Sequence, residues 1–107
     1  MVANLIQLRR VAAAAEEQVQ DLAAIFRVLA DPTRLKILAA LAEERSLCVH
    51  ELCDRLGMSQ PAVSHQLSTL RGARFVRGQR AGREIHYALD DEHVVRLISE
   101  GLKHARE

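Results

Sequence analysis

Along most of this chain apolar residues recur every third or fourth position, and in one stretch near the end they alternate with polar ones. The first pattern belongs to helices with one buried stripe, the second to a half-buried strand. Val2 to Ala15 predicts a helix with Leu5, Leu8 and Ala12 on one side. Its alanine-rich end suits close packing against another helix, including one from a second chain. Glu17 to Ala30 predicts a second helix, with Val19, Leu22, Ala23, Phe26 and Leu29 as its stripe. Asp31-Pro32 then marks a new start, an N-cap acceptor followed by proline where the missing N–H is not needed. That third helix, Thr33 to Glu44, is expected to bury Leu35, Leu38 and Leu41 or Ala42. A fourth begins near Cys48 and stops at Gly57, a residue free to adopt the left-handed cap. Ser59 or Gln60 caps a fifth, with Pro61 in its first turn and Val63, Leu67 and Leu70 as its buried stripe.

After Arg74 the period changes. Phe75 to Arg80 leads through Ala81-Gly82 into Arg83 to Leu89, where Ile85, Tyr87 and Leu89 alternate with Glu84, His86 and Ala88. This predicts a hairpin closed by a glycine-containing turn, with His86 on its exposed face. A last helix runs from near Asp90 to the final residue, with Val94, Leu97, Ile98 and Leu102 apolar. No repeat or linker interrupts the order. The expected fold is mainly α with a small β-hairpin, one domain over residues 1–107.

A chain of 107 residues has room for one hydrophobic core. With 49% hydrophobic residues and a net charge of +1, disorder is excluded. Aromatics make up 3% (Phe26, Phe75 and Tyr87), too few for a base-stacking platform of the kind that binds single strands. The longest apolar run, Ile37 to Ala42, is too short to span a bilayer. The Val11–Ala15 run is followed by Glu16, Glu17 and Asp21, which is not a signal-peptide context. A cytoplasmic location is therefore expected, with no membrane partner and with Cys48 and Cys53 reduced.

The balanced total charge argues against a uniformly basic surface, but its distribution does not. From Arg55 to Arg83 there are six arginines (55, 71, 74, 77, 80 and 83) and no acid, leaving the rest of the chain at −5. This acid-free series points to a local anion-binding face. It surrounds two short helices joined across Gly57-Met58-Ser59, the pattern of a helix-turn-helix, and the hairpin behind them makes it a winged one. In the second of these helices Gln60, Ser64, His65 and Ser68 lie off the apolar stripe, with side chains suited to base edges in a major groove. Arg71 at its end, and Arg80 and Arg83 beside the wing tip, are placed for phosphates or the minor groove.

Three stretches carry a more specific likeness: Leu29-Ala30-Asp31-Pro32-Thr33-Arg34-Leu35-Lys36-Ile37-Leu38, Leu47-Cys48-Val49-His50-Glu51-Leu52, and Ala62-Val63-Ser64-His65-Gln66-Leu67. In order and spacing the chain from about Val19 onward resembles the ArsR/SmtB family of metal-responsive winged-helix repressors. The resemblance implies a homodimer joined through its N- and C-terminal helices (1–30 and 90–107). It also implies a helix-turn-helix over 48–71, a wing over 75–89, and double-stranded operator DNA with an inverted repeat as partner. No nucleophile–base pair or phosphate loop suggests an enzyme.

The last seventeen residues hold Asp91, His93, His104 and Glu107. On one helix His93 and His104 share a face but stand about 16 Å apart, too far for one ion. An antiparallel symmetry mate would bring Asp91 and His93 of one chain to His104 and Glu107 of the other, giving two equivalent sites. The D-x-H-x10-H-x2-E spacing is also the zinc-sensing pattern of the resembled family. Two imidazoles and two carboxylates suit Zn2+; Co2+ would bind similarly, whereas Ni2+ usually takes more ligands. At the last residue the α-carboxylate competes with the Glu107 side chain as ligand. The resemblance further implies a hydrogen-bond relay from the His104 position toward the DNA-binding region, with Arg74 at a position linked to it.

Cys48 occupies a helix N-cap with Glu51 as capping partner, a setting that lowers a thiol pKa. The competing expectation is therefore the same DNA-binding fold sensing thiol oxidation or a thiophilic metal or metalloid through Cys48. Residues 1–47 contain no Cys or His to complete such a site. Cys53 is expected to pack in the core, and His50 to face solvent. The expected function is a metal-sensing transcriptional repressor, released from operator DNA when zinc binds at the C-terminal helices.

Overall fold

The computed structural model of the chain describes Leu5 and residues 15–107. The helix expected over Val2–Ala15 otherwise lies outside the described residues. The order is α1 (Glu16–Leu29), α2 (Pro32–Glu43), β1 (Leu47–Cys48), α3 (Val49–Leu56), α4 (Gln60–Gly72), β2 (Val76–Ala81), β3 (Glu84–Leu89) and α5 (Glu92–Arg106). Among the described residues no helix is long and apolar enough to cross a membrane.

Local chemistry sets the helix ends as the sequence predicts. Asp31 accepts a hydrogen bond from the Arg34 backbone N–H at 2.9 Å, with Pro32 as the first helical residue of α2. Ser59 Oγ accepts from the Ala62 N–H at 3.3 Å ahead of α4. Gly57 ends α3 at φ 64, the left-handed conformation that glycine adopts without steric cost. The end of α4 is less expected. The Phe75 N–H bonds to the Leu70 carbonyl and the Arg74 N–H to the Arg71 carbonyl, a Schellman closure whose left-handed residue is Arg74 at φ 64.

The core is built from Ile37 and Leu38 of α2, Leu52 of α3, Val63, Leu67 and Leu70 of α4, and Val76 of β2, all almost fully buried. Leu89, Val94 and Ile98 carry it to the last strand and α5. Two expectations change. Leu35 is exposed and Ile37 takes its place inside, because α2 turns Leu35 toward a groove shared with Phe26, Leu97 and Leu102. In α1 only Leu29 is buried, while Val19, Leu22, Ile25 and Phe26 face out. Periodicity identified the apolar face of α1, but the described residues do not cover it.

The sheet has three strands rather than two, in the order β1-β3-β2. Leu47 and Cys48 pair antiparallel with Tyr87 and His86 on the inner side of the wing. On the other side β2 pairs with β3 from Val76↔Leu89 to Ala81↔Glu84, and Gly82 at φ 67 makes the turn. Gly78 lies opposite Tyr87, and a Cβ there would meet Ile85 Cγ2 at 3.0 Å and the Tyr87 ring at 3.2 Å.

Candidate nucleic-acid interface and metal centre

Helix α4 buries Val63, Leu67 and Leu70 and leaves Gln60, Ser64, His65 and Ser68 exposed. Arg71, Arg80 and Arg83 are also exposed. A cavity between α4 and the wing brings Gln60 and Ser64 together with Arg83, His50 and Glu84. His65, Ser68, Arg71 and Arg80 do not line that cavity. The arginine series is not uniform in space. Arg55 pairs with Glu44 at 2.8 Å and Glu43 at 3.7 Å, tying α3 to the end of α2. Arg77 donates to the Asp90 carbonyl at 3.0 Å. Among the described residues Arg71, Arg74, Arg80 and Arg83 make no ion pair, so the basic face is narrower than the run of six suggests.

At the head of α5, Asp91 is the N-cap and accepts from the Val94 N–H at 3.0 Å. That bond, with the nearby His93 imidazole, holds the Asp91 carboxyl below its ordinary pKa. His93 Nδ1 lies 3.6 Å from Asp91 Oδ1, and both side chains are well exposed. His104 and Glu107 are at the far end of the same helix and its cap, about 16 Å from His93 at the helical rise. Among the described residues no three His, Cys, Asp or Glu side chains of one chain gather around a point. Arg74 lines a cavity with Asp91, His93, Phe75 and Ile25, which places it beside this half of the candidate set and away from His104.

Cys48 departs from expectation. The Glu51 backbone N–H draws its thiol pKa down, but burial and the Glu51 and Glu84 carboxylates outweigh it, leaving the thiol above its ordinary value. The helix N-terminus acts as foreseen; the capping carboxylate, which accepts from the Cys48 N–H at 3.0 Å, works against it. Cys53 packs against the core and His50 is exposed, as expected. His86 is instead half-buried against β1, 3.6 Å from Glu84.

The profile of the bacterial regulatory protein, arsR family, matches residues 31–77, from the Asp31 cap through α4 into the wing. The chain is 44% identical over 91 residues to the transcriptional repressor SmtB homolog of Synechocystis sp., covering 85% of this chain and 68% of that protein. The chain belongs to the ArsR/SmtB family. Against the SmtB repressor of Mycobacterium tuberculosis it is 42% identical over 83 residues, 78% of this chain but 61% of the relative's length. The crystal structure of the AntR antimony-specific transcriptional repressor superposes with a TM-score of 0.79 at 37% identity, covering 88% of this chain and 85% of that one. ArsR/SmtB members are DNA-binding transcriptional regulators, and this winged helix-turn-helix chain is one of them. The profile match ends at residue 77, so it does not reach Arg80, Arg83, Asp91, His93, His104 or Glu107.

Proposed function

We propose that this ArsR/SmtB protein is a cytoplasmic, zinc-responsive repressor whose metal-free homodimer binds an inverted-repeat operator. Gln60, Ser64, His65 and Ser68 read bases, and Arg71, Arg80 and Arg83 hold the backbone. The observation that carries the sensing half is the division of one donor set between the two ends of α5. Asp91 and His93 stand together at its head, and His104 and Glu107 at its tail, beyond reach of a shared ion. A second copy running antiparallel supplies the missing half of each site. The donors fit zinc: two imidazoles and two carboxylates, with Asp91 Oδ2 left over after Oδ1 caps the helix. The ion would supply a tether between the two copies. The uncovered apolar residues of α1 and the groove formed by Phe26, Leu35, Leu97 and Leu102 support dimerisation through these helices.

Arg74 supports a relay between sensor and reading head on backbone grounds. A left-handed C-terminal residue is normally glycine, and the arginine accepts the steric penalty beside Asp91 and His93. The thiol reading is weaker, since Cys48 is buried and its pKa raised.

The test is operator affinity with and without zinc for wild type, His104→Ala and Cys48→Ser. Zinc should release wild type and Cys48→Ser but not His104→Ala. Normal release of His104→Ala would place the sensor elsewhere.

A further inference from the structure

Arg34, at the start of α2, makes hydrogen bonds in three directions. Its backbone N–H is held by Asp31, its Nε donates to Gln66 Oε1 of α4 at 2.9 Å, and its Nη1 donates to the Val28 carbonyl of α1 at 3.0 Å. The Arg34–Gln66 bond joins residues thirty-two positions apart, and both side chains are half-buried. Among the described residues the Arg34 guanidinium has no carboxylate partner. Its charge instead meets one of the last-turn carbonyls of α1, which carry the negative end of that helix's dipole.

Position 66 matters because of where it falls around α4. At 100° per residue, Ser64 and Ser68 lie about 160° from Gln66, Gln60 about 120° and His65 about 100°, so the bonded side chain is turned away from the base-reading face. Val63, Leu67 and Leu70 hold α4 against the core by apolar contact, which is non-directional and tolerates a small roll. A hydrogen bond from a planar guanidinium does not.

We propose that Arg34 is a positioning residue: through Gln66 and the Val28 carbonyl it fixes the roll of the reading helix relative to α1. The outward apolar face of α1 is the proposed dimer surface, so this bond path ties the pose of each reading helix to the dimer. The inference rests on the DNA-binding reading for its functional consequence, but the tie itself is a property of the free protein.

The variants are Arg34→Lys, which keeps the charge but loses the fork, Gln66→Met, which keeps length and helix propensity, and the pair together. An operator is selected from a random duplex library with wild type, and affinities are measured on that duplex with one base pair added or removed between half-sites. Wild type should discriminate sharply between spacings. Each single variant should flatten that discrimination at least about fivefold, the double no further than either single, with the salt dependence of binding unchanged. Unchanged discrimination or additive effects overturn the proposal; so does a salt slope that falls by about two in Arg34→Gln, one contact per protomer, which would make Arg34 a phosphate contact.

Amide hydrogen exchange on the protein alone gives a second readout. Gln66→Met, a change on α4, should speed exchange of the Ala30 N–H, which closes the last turn of α1 on the Phe26 carbonyl, without a general rise. An unaltered Ala30, or a uniform rise through the core, overturns the tie. If no duplex is selected, the DNA-binding reading fails and exchange alone decides the tie.

Discussion

Asp91 uses one carboxylate for two purposes, holding the first turn of α5 and facing His93. The Val94 N–H keeps it ionised to lower pH than an ordinary aspartate. Zinc affinity should fall on acidification, because protons compete with the metal for its ligands, measured by competition with a chelating dye. At Arg74 backbone and side chain separate cleanly. Arg74→Gly should leave thermal stability within about 1 kcal/mol of wild type, since relief of the left-handed strain offsets glycine's entropy, while weakening the zinc response. Arg80→Ala and Arg83→Ala should each lower the salt slope of operator binding by about two, one contact per protomer, read from titrations at several salt concentrations.

Among the elements, α3 depends most visibly on a titrating group. The Cys48 backbone N–H and then its thiol lower the Glu51 pKa, so the ionised form is favoured in the folded state. The stabilisation is present above the unfolded glutamate pKa and disappears as pH falls through the lower, folded value. Glu51→Gln should flatten that acid limb in thermal melts followed from neutral pH into the acidic carboxylate range. Leu38→Ala, in the fully buried stripe of α2, should cost about 2–5 kcal/mol in denaturant unfolding.

The same scale shows what the sequence makes legible. Helices α2, α3 and α4 are punctuated by Asp31-Pro32, Gly57 and Ser59-Gln60-Pro61, local chemistry that acts on its own neighbours. Strand β1 is two residues long, too short to have a period, and exists because the wing offers it a partner. For α1, periodicity names an apolar face but not what covers it. Arg55 looked like part of the basic face because adjacency in sequence hides the Glu43 and Glu44 pairing in space. The Arg34–Gln66 bond has no sequence signature, because it crosses two elements with no fixed spacing between them.

For the whole molecule the proposed dimer rests on the exposed apolar face of α1 and the groove beside α5. Phe26→Asp, at a half-exposed position in that face, should give a monomer by sedimentation. It should also lose about 100-fold or more in operator affinity, as two linked half-sites become independent. Reciprocity adds a check on the proposed metal response: operator DNA must weaken zinc binding by the same factor that zinc weakens operator binding. The near-zero net charge conceals this arrangement, because acids tie up Arg55 but leave Arg71, Arg80 and Arg83 open on the reading side.

The two-residue strand β1 has a mechanical consequence beyond closing the sheet. By pairing Leu47 and Cys48 with Tyr87 and His86, it bolts the return strand of the wing to the N-cap of α3. A hairpin attached only at its base would swing as a free arm and settle on whatever groove width it met. With its inner strand paired to the N-cap of α3, the wing is tied to the helix-turn-helix part-way along the hairpin as well as at its base. Operator sequences would then be sorted partly by whether their groove already has the width this fixed frame spans.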